Sequence, residues 1–296
     1  MTSSALPAVR VRGASLPSSR WLCSPLSVIL LALLVWPGMR LIAESMASDD
    51  GGWTLAHYQD LWRLSRLRFA LIASILLSIA VAILSTGLCL APAWLLVRRS
   101  FRGKRVLRAI YTLPLSFAGV IVGFLVALML GRVGFVPILS ERLTGIPWLS
   151  GAAYGFAGVL IGYLYFEIPR ATLTLEAALE RVDFRLADVA RSLGASRLQA
   201  FFWVVLPSLA PALLSTAAVT FSVSLGSFGV VLILDARSFS VLPLEIFMAY
   251  LAFPSDRPAA AAMSVTLLAI ALLINYGCRL AFEGGGNRGA AVMARA

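Results

Sequence analysis

The sequence reads FALIASILLSIAVAILSTGLCLAPAWLLV over residues 69–97 and continues with RRSFRGKR over residues 98–105. The first stretch contains no Asp, Glu, Lys or Arg, and it exceeds the roughly 20 apolar residues that a helix needs to cross a bilayer. The second stretch is strongly basic, and basic loops accumulate on the cytoplasmic side of membrane proteins. We therefore predict a membrane-spanning helix whose carboxyl end lies in the cytoplasm.

Several other intervals of the chain also lack charged residues and are long enough to span a membrane. Hydrophobic residues make up 60% of the 296 residues and charged residues 13%, with a mean hydropathy of +0.89, which is a balance unusual for a soluble domain. The predicted fold class is an all-α integral membrane protein with six transmembrane helices. The six intervals are 21–39, 69–97, 109–131, 143–166, 198–234 and 258–278. The interval between Glu245 and Asp256 is too short to cross, so we expect an external interfacial or re-entrant segment there.

The distribution of charge predicts the orientation of these helices. With the amino terminus inside, the inner segments carry 17 basic and six acidic residues, whereas the outer segments carry eight basic and eight acidic residues. The whole net charge of +11 then lies inside, as the positive-inside rule requires, and this topology removes any need for a nucleic-acid partner. The predicted organisation is a cytoplasmic tail, a first helix with an external loop, a transmembrane domain and a second cytoplasmic tail, over residues 1–20, 21–66, 67–280 and 281–296.

The reactive side chains form no pattern that is typical of an enzyme. His57 is the only histidine, and Cys23, Cys89 and Cys278 have no metal-like spacing. We therefore expect no catalytic residues, no metal site and no cofactor. The chain also lacks a GxxxxGK[ST] phosphate loop, so any ATP that drives it must be hydrolysed by another subunit.

The inner loop between the fourth and fifth spans, residues 170–203, is patterned as two helices with a tight turn. Asp183 is a suitable helix cap, and Gly194 suits the left-handed position that ends a helix. Ser196 and Gln199 have the spacing of a capping box, which predicts the start of a second helix. Four apolar residues lie at helical spacing on the first helix, namely Leu186, Val189, Ala190 and Leu193.

This loop resembles the one in permeases of binding-protein-dependent ABC importers, which carry Glu-Ala-Ala, three residues, Gly, nine residues, Ile, one residue and Leu-Pro. Counting from the literal Glu176-Ala177-Ala178 puts Val182 where Gly is required. Counting from Asp188 puts Gly194 at that position, with Asp, Val and Val replacing Glu, Ala and Ile. Within a coupling loop at about 183–207, the resemblance assigns ATPase coupling to Asp188, Val189, Ala190, Gly194, Ala195, Ser196, Leu206 and Pro207. Glu176 is then expected to tolerate substitution by Gln.

The resemblance covers about residues 67–280 and implies a set of partners. These are two ATP-binding-cassette ATPase subunits, a second permease or another copy of this chain, and an extracytoplasmic solute-binding protein, in a bacterial inner membrane. The segment LPLSFAGVIVGFLVALMLGRVGF at 113–135 resembles the third helix of polyamine, ferric-iron and aminophosphonate permeases. That cue does not select a substrate.

Two features are candidates for the solute pathway. Glu167 is the acidic residue nearest a membrane interior, close to the predicted cytoplasmic end of the fourth span. It serves there either as a gate or solute contact, or as a snorkelling or capping group. The fifth span has a face of small and partly polar residues, which either lines the pathway or allows close helix packing. The pathway candidates on that face are Ser215, Ser222, Gly226 and Gly229, with Val219 between them.

Two other function classes are compatible with a multi-span protein. A secondary transporter or channel would use no ATP, and paired charges inside the membrane would favour it, but such pairs are nearly absent from the sequence. An intramembrane enzyme would need a nucleophile, a base or a metal cluster. The coupling-loop resemblance favours the permease subunit over both.

We predict that both termini, the 98–105 loop and the 170–203 loop are cytoplasmic, because only this orientation puts the basic excess inside. Single cysteines at Ser196 or Arg102, in a chain without its native cysteines, should resist a membrane-impermeant label in intact cells. A cysteine at Asp60, in the predicted external loop, serves as the labelled control. External labelling at Ser196 or Arg102 would overturn the topology.

Overall fold

The computed structural model describes residues 20–48, 52–147, 150–182, 185–234, 239–252 and 256–293, and these form thirteen α-helices. No β-strand occurs in these ranges, in which the only extended pairing is an isolated bridge between Ala47 and Trp53. The all-α fold class is therefore confirmed. The helices are α1 (Arg20–Ser45), α2 (Ala56–Arg63), α3 (Ser65–Arg98), α4 (Lys104–Thr112), α5 (Gly119–Leu130), α6 (Phe135–Thr144), α7 (Phe156–Leu179), α8 (Arg185–Ser192), α9 (Arg197–Ala200), α10 (Leu206–Gly226), α11 (Gly229–Leu234), α12 (Leu242–Ala252) and α13 (Arg257–Met293).

Four helical stretches of the described chain are long and apolar enough to cross a membrane. They are Ser65–Arg98, Gly119–Thr144, Arg197–Gly226 and Arg257–Leu280. They correspond to four of the six charge-free intervals. The other two intervals, 21–39 and 143–166, overlap α1 and α7, so the count of six spans stays a prediction.

Helix α3 lies at the centre of the bundle. It packs along α7 and α10 and contributes to all three clusters of buried side chains, for example through Val81, Ala70 and Ala93. Lipid is as apolar as a leucine side chain, so helices in a membrane associate through close packing rather than through the hydrophobic effect. The buried face of α3 accordingly includes many small residues, among them Ala70, Ser74, Ser78, Ala82, Ser85 and Ala93.

Three buried hydroxyl groups of α3, those of Ser74, Ser78 and Ser85, have partners within the bundle, whereas the Thr86 hydroxyl has none in the described part of the chain. The Ser78 hydroxyl donates to the Ser74 carbonyl at 2.8 Å, and the Ser74 hydroxyl donates to the Ala70 carbonyl at 2.8 Å. The Ser74 hydroxyl oxygen also accepts a hydrogen bond of 2.8 Å from the backbone N–H of Leu242, at the start of α12. This bond attaches α12 to α3 and satisfies a helix-terminal N–H group that lacks an intrahelical partner.

Glycines allow α5, α7 and α11 to approach closely. A Cβ atom on Gly123 would lie 2.9 Å from the Ile233 Cβ and 3.1 Å from the Val230 carbonyl oxygen. A Cβ atom on Gly162 would lie 2.6 Å from a methyl carbon of Val230, and one on Gly229 would lie 2.9 Å from the Val120 nitrogen. These contacts are the small-residue packing that is typical of membrane helices.

The predicted position of the fourth span is wrong. Interval 143–166 was bounded by Glu167, whereas α7 begins at Phe156 and continues to Leu179. Glu167 therefore lies near the middle of the helix rather than at its end. Counting charges misplaced the helix because Glu167 and Glu176 are both buried inside the bundle, where arginine side chains lie next to them.

Two other spans are not the single helices that the intervals implied. Residues Leu113–Ser116 form a 3₁₀ segment containing Pro114, which divides interval 109–131 between α4 and α5. Helix α10 ends at Gly226, and the non-helical Ser227 and Phe228 precede α11. The Tyr163 hydroxyl donates to the Ser227 carbonyl at this break. Gly229 is consequently not on the same helix as the other fifth-span candidates.

The segment from Glu245 to Asp256 is partly helical, because α12 covers its first residues. Glu245 is buried and forms an ion pair with Arg66, whose Nε donates to the carboxylate at 3.1 Å. This contact attaches α12 to the start of α3. The proposed helix cap at Asp183 lies outside the described residues.

We predict that Gly123→Ala destabilises the protein, because the added methyl group would overlap the backbone of α11. Overpacking of this kind costs roughly 1–3 kcal/mol. Gly87→Ala is the matched control, since an added Cβ at Gly87 in α3 would have nothing within 4 Å. Both substitutions bring the same gain in helix propensity. Thermal unfolding in detergent should show a lower midpoint only for Gly123→Ala. Equal midpoints for the two variants would refute close packing of α5 on α11.

Candidate coupling loop and cavity

The turn after α8 has the geometry that was predicted for Gly194. Its φ is +97°, a left-handed conformation that a side chain with a Cβ rarely adopts. The Gly194 N–H donates to the Arg191 carbonyl at 3.0 Å, and the Ala195 N–H donates to the Ala190 carbonyl at 3.1 Å. These two bonds form a Schellman motif, which satisfies the last carbonyl groups of the helix.

The capping box that was predicted for the second helix is also present. The Ser196 hydroxyl accepts the Gln199 N–H at 3.2 Å, and the Gln199 side chain accepts the Ser196 N–H at 2.8 Å. Helix α9 then passes through a π-helical turn, Phe201–Val205, into α10. The π turn precedes Pro207, whose ring would clash with a carbonyl group in a regular α-helix.

Three of the four residues in the apolar stripe of α8 lie on the surface, whereas Ala190 is half-buried and packs against a buried cluster. Leu186, Val189 and Leu193 are 58%, 56% and 85% exposed, whereas Ala187 on the opposite face is buried. Beyond the turn, the surface continues with three more exposed apolar side chains, at Leu198, Phe202 and Trp203. We call these six residues the apolar docking surface.

The loop is attached to the bundle by residues on the other face of its helices. Ala187, Ala200 and Val205 belong to the same buried cluster as Cys89 of α3 and Leu175 of α7. Leu206 is half-buried and Pro207 is exposed at the start of α10. On the outer face, the Arg191 guanidinium lies 3.6 Å from the Asp188 carboxylate. Both of these side chains are largely exposed, so their ion pair contributes little to stability.

The literal Glu176-Ala177-Ala178 lies in α7, away from this surface. The Glu176 carboxylate is buried and accepts a hydrogen bond from the Arg108 guanidinium of α4, which raises the pKa of Arg108. Glu180 lies 3.9 Å from the same guanidinium. Glu176 thus has a structural role that the sequence did not reveal. The tolerance of Glu176→Gln stays a prediction. It does not extend to every substitution, because Gln preserves a hydrogen-bond acceptor for Arg108 and an apolar residue would not.

The two interruptions of helical backbone meet at one cavity of about 380 Å³. Its lining includes Leu115 and Phe117 from the first break, and Ser227 and Phe228 from the second. Arg170 is the one charged side chain among the residues that line it, all of which lie in the described part of the chain. The remaining lining residues are Gly119, Val120, Phe166, Val223, Gly226, Gly229 and Val230.

The fifth-span pathway candidates separate into different surroundings. Gly226 and Gly229 line the cavity, whereas the Ser222 hydroxyl accepts a hydrogen bond from the Asn275 amide at 2.6 Å and so lies against α13. Ser215 is exposed, and its hydroxyl donates to the Ala212 carbonyl at 3.0 Å. Gly229 also packs closely against α5, while its role in the solute pathway stays a prediction.

Glu167 does not line the cavity. It is fully buried, and within the described ranges neither carboxylate oxygen has a hydrogen-bond partner, although one lies 3.8 Å from an Arg170 nitrogen. Arg170 was missed as a site residue because it was counted with the cytoplasmic charges. Its position three residues after Glu167 was an available signal, since residues at that spacing lie on one face of a helix.

The sequence matches a family model described as the binding-protein-dependent transport system inner membrane component over residues 19–279. The sulfate transport system permease protein CysT of Salmonella typhimurium is 30% identical over 256 residues, which cover 86% of this chain and 87% of that protein. The molybdenum transport system permease protein ModB of Escherichia coli is 37% identical over 138 residues, which cover 46% of this chain and 58% of that protein. These names differ from the groups that segment 113–135 resembles.

The fold is similar to those of solved ABC transporters. A chain of the bacterial transporter that imports the acidic polysaccharide alginate superposes with a TM-score of 0.70 at 19% identity, covering 88% of this chain and 96% of that one. A chain of the MetNI methionine transporter gives a TM-score of 0.53 at 17% identity, covering 74% and 98%. The chain therefore belongs to the binding-protein-dependent transport system inner membrane component family and is a transmembrane permease subunit of an ABC importer.

Proposed function

We propose that this permease imports a tetrahedral oxyanion and that its α8–α9 loop transmits movement from the ATPase subunits to the cavity. The observation that carries the substrate class is Arg170, the one charged side chain among the cavity-lining residues of the described chain. In this proposal the chain crosses the inner membrane six times with both termini in the cytoplasm. It assembles with a second permease, two ATPase subunits and an extracytoplasmic solute-binding protein.

The docking role of the loop is supported by the exposed apolar side chains of α8. Leu186, Val189 and Leu193 form an apolar strip beside Asp188 and Arg191, and this composition is typical of a helix that inserts into a groove of a partner. Transfer of such side chains from water into a groove gains about 25 cal/mol for each Å² of apolar surface that is buried. The adjacent charges would set orientation and partner choice more than affinity.

A mechanical route from the loop to the cavity is supported by the continuity of the helix that follows. The stretch Arg197–Gly226 is helical over 30 residues, a length of about 45 Å at 1.5 Å per residue. It begins at the Ser196 capping box and ends at the break at Ser227 and Phe228, which line the cavity. Movement of the docked loop would therefore displace one wall of the cavity as a rigid body.

The substrate class is supported by charge and by the named relatives. Sulfate and molybdate are tetrahedral dianions, and a guanidinium is well suited to such groups because it presents several fixed N–H donors. The Arg170 side chain is 36% exposed and reaches the cavity from α7. The surrounding lining is mostly apolar, so it would compete little with the anion for these donors.

We predict that Gly194→Val uncouples transport. The substitution forces a β-branched side chain into left-handed geometry at a cost of roughly 1 kcal/mol or more, which would deform the turn beneath the apolar docking surface. Ser192→Val is the matched control, because it adds the same side chain two residues earlier at an exposed helical position. Solute uptake and binding-protein-stimulated ATP hydrolysis should fall for Gly194→Val at normal membrane abundance. Normal uptake by this variant would show that the assigned loop register is wrong.

We predict that Arg170→Gln lowers uptake of sulfate or molybdate by roughly 10- to 100-fold, which corresponds to the loss of one charged hydrogen-bonding partner. Arg170→Lys should retain part of the uptake, because it preserves the charge but not the fixed geometry. Arg181→Gln is the control for loss of a positive charge at an exposed site outside the cavity.

The double variant Glu167→Gln with Arg170→Gln separates transport from folding. Arg170→Gln alone would leave the buried Glu167 carboxylate without its neighbouring positive charge, and the second substitution removes that carboxylate. The abundance of the double variant should be normal while its uptake stays low. Full oxyanion uptake by a well-expressed Arg170→Gln variant would exclude Arg170 as the anion contact.

A further inference from the structure

A second cavity, of about 340 Å³, lies between the carboxyl end of α3 and the α8–α9 loop. Its arginines belong to three different helices or their ends, α3, α8 and α9. Asp188 is the one acidic residue in its described lining. We call it the basic pocket. Its lining residues are Trp94, Arg98, Arg99, Ala187, Asp188, Arg191, Arg197, Ala200, Phe201 and Val205.

The charge of the basic pocket is only partly balanced within the chain. Asp188 lies 3.6 Å from Arg191, and the Arg98 guanidinium lies 5.7 Å from the centre of the Trp94 ring. No carboxylate in the described part of the chain lies within salt-bridge distance of Arg99 or Arg197. With four arginines and one aspartate, the pocket carries an excess of positive charge and is suited to an anion.

The basic pocket also lies where the apolar part of α3 ends. The charge-free run 69–97 stops directly before Arg98, and Trp94 packs edge to face on Phe201 with ring centres 5.3 Å apart. Aromatic side chains concentrate at the headgroup level of a bilayer, and basic pockets between helices on the cytoplasmic side bind anionic headgroups.

We infer that the basic pocket binds the phosphate group of an anionic phospholipid from the inner leaflet. This inference rests on the proposed cytoplasmic position of the α8–α9 loop. The phosphate would bridge Arg99 at the end of α3 to Arg197 at the start of α9, and so connect the central helix of the bundle to the coupling loop. Anionic lipid would hold the loop in a defined position and thereby strengthen the coupling of ATP hydrolysis to transport.

The test uses the complete transporter in nanodiscs that contain either phosphatidylcholine alone or phosphatidylcholine with phosphatidylglycerol. Binding-protein-stimulated ATP hydrolysis by the unmodified protein should rise several-fold with phosphatidylglycerol, and native mass spectrometry should detect the retained lipid. Arg99→Gln with Arg197→Gln should abolish both effects while keeping the lower activity seen in phosphatidylcholine. Arg102→Gln with Arg105→Gln removes the same charge from the neighbouring basic run, outside the pocket, and should respond to phosphatidylglycerol normally.

Three results would overturn the inference. Equal loss of the lipid response in both double variants would indicate attraction by overall charge rather than a site. Reproduction of the response by inorganic phosphate in phosphatidylcholine nanodiscs would identify a free anion as the ligand. Dissociation of the ATPase from the Arg99 and Arg197 variant in every lipid would indicate that the pocket receives an acidic group of that subunit. Absence of stimulated hydrolysis by the unmodified protein in all nanodiscs would instead count against the proposed function.

Discussion

Lipid offers no hydrogen-bond partner to a peptide group, and this constraint organises the whole molecule. Backbone that leaves the helical path within a bilayer must be covered by protein or must line an aqueous cavity. The non-helical residues near Phe117 precede the apolar stretch Gly119–Thr144, and Ser227 and Phe228 follow the stretch Arg197–Gly226. Both breaks line the same cavity, where the Tyr163 hydroxyl satisfies the Ser227 carbonyl. The cavity is thus a direct result of two interrupted helices that meet inside the bundle.

The helices that flank these interruptions pack closely. Helices α5, α7 and α11 approach through Gly123, Gly162 and Gly229, where added side chains would overlap their neighbours. Buried carboxylates are accommodated in the same region by arginines, as Glu176 is by Arg108. Such pairs are poor sources of stability but they define which helices can be neighbours, since removal of one partner leaves a buried charge uncompensated.

The α8–α9 loop has opposite characters on its two faces. Its inner face joins a buried cluster with α3 and α7, while its outer face exposes leucine and valine side chains that nothing else in the described chain covers. The inner contacts make the loop part of the bundle, and the helix from Arg197 to Gly226 extends from it to the cavity. The same loop also lines one side of the basic pocket, so the proposed lipid and the ATPase would contact one loop from two directions.

The sequence by itself determined the features that depend on neighbouring residues. The membrane class followed from the length of the apolar runs. The Gly194 turn and the Ser196 capping box were predicted correctly because helix ends are encoded by local hydrogen bonding and backbone conformation. The family followed from the same loop, since its spaced motif survives replacement of several side chains.

Tertiary structure alone decided which charges lie in water and which lie inside the bundle. Glu167 marked the end of a span in the sequence but lies in the middle of α7, and Arg170 was assigned to the cytoplasm but reaches the cavity. The position where α10 stops was equally hidden, although the Tyr163 hydroxyl of α7 binds the Ser227 carbonyl at this break. A charge count along the chain cannot detect a partner that folding brings from another helix, as Arg108 of α4 is brought to Glu176 of α7. That is the physical reason why the apolar runs did not predict where the helices begin and end.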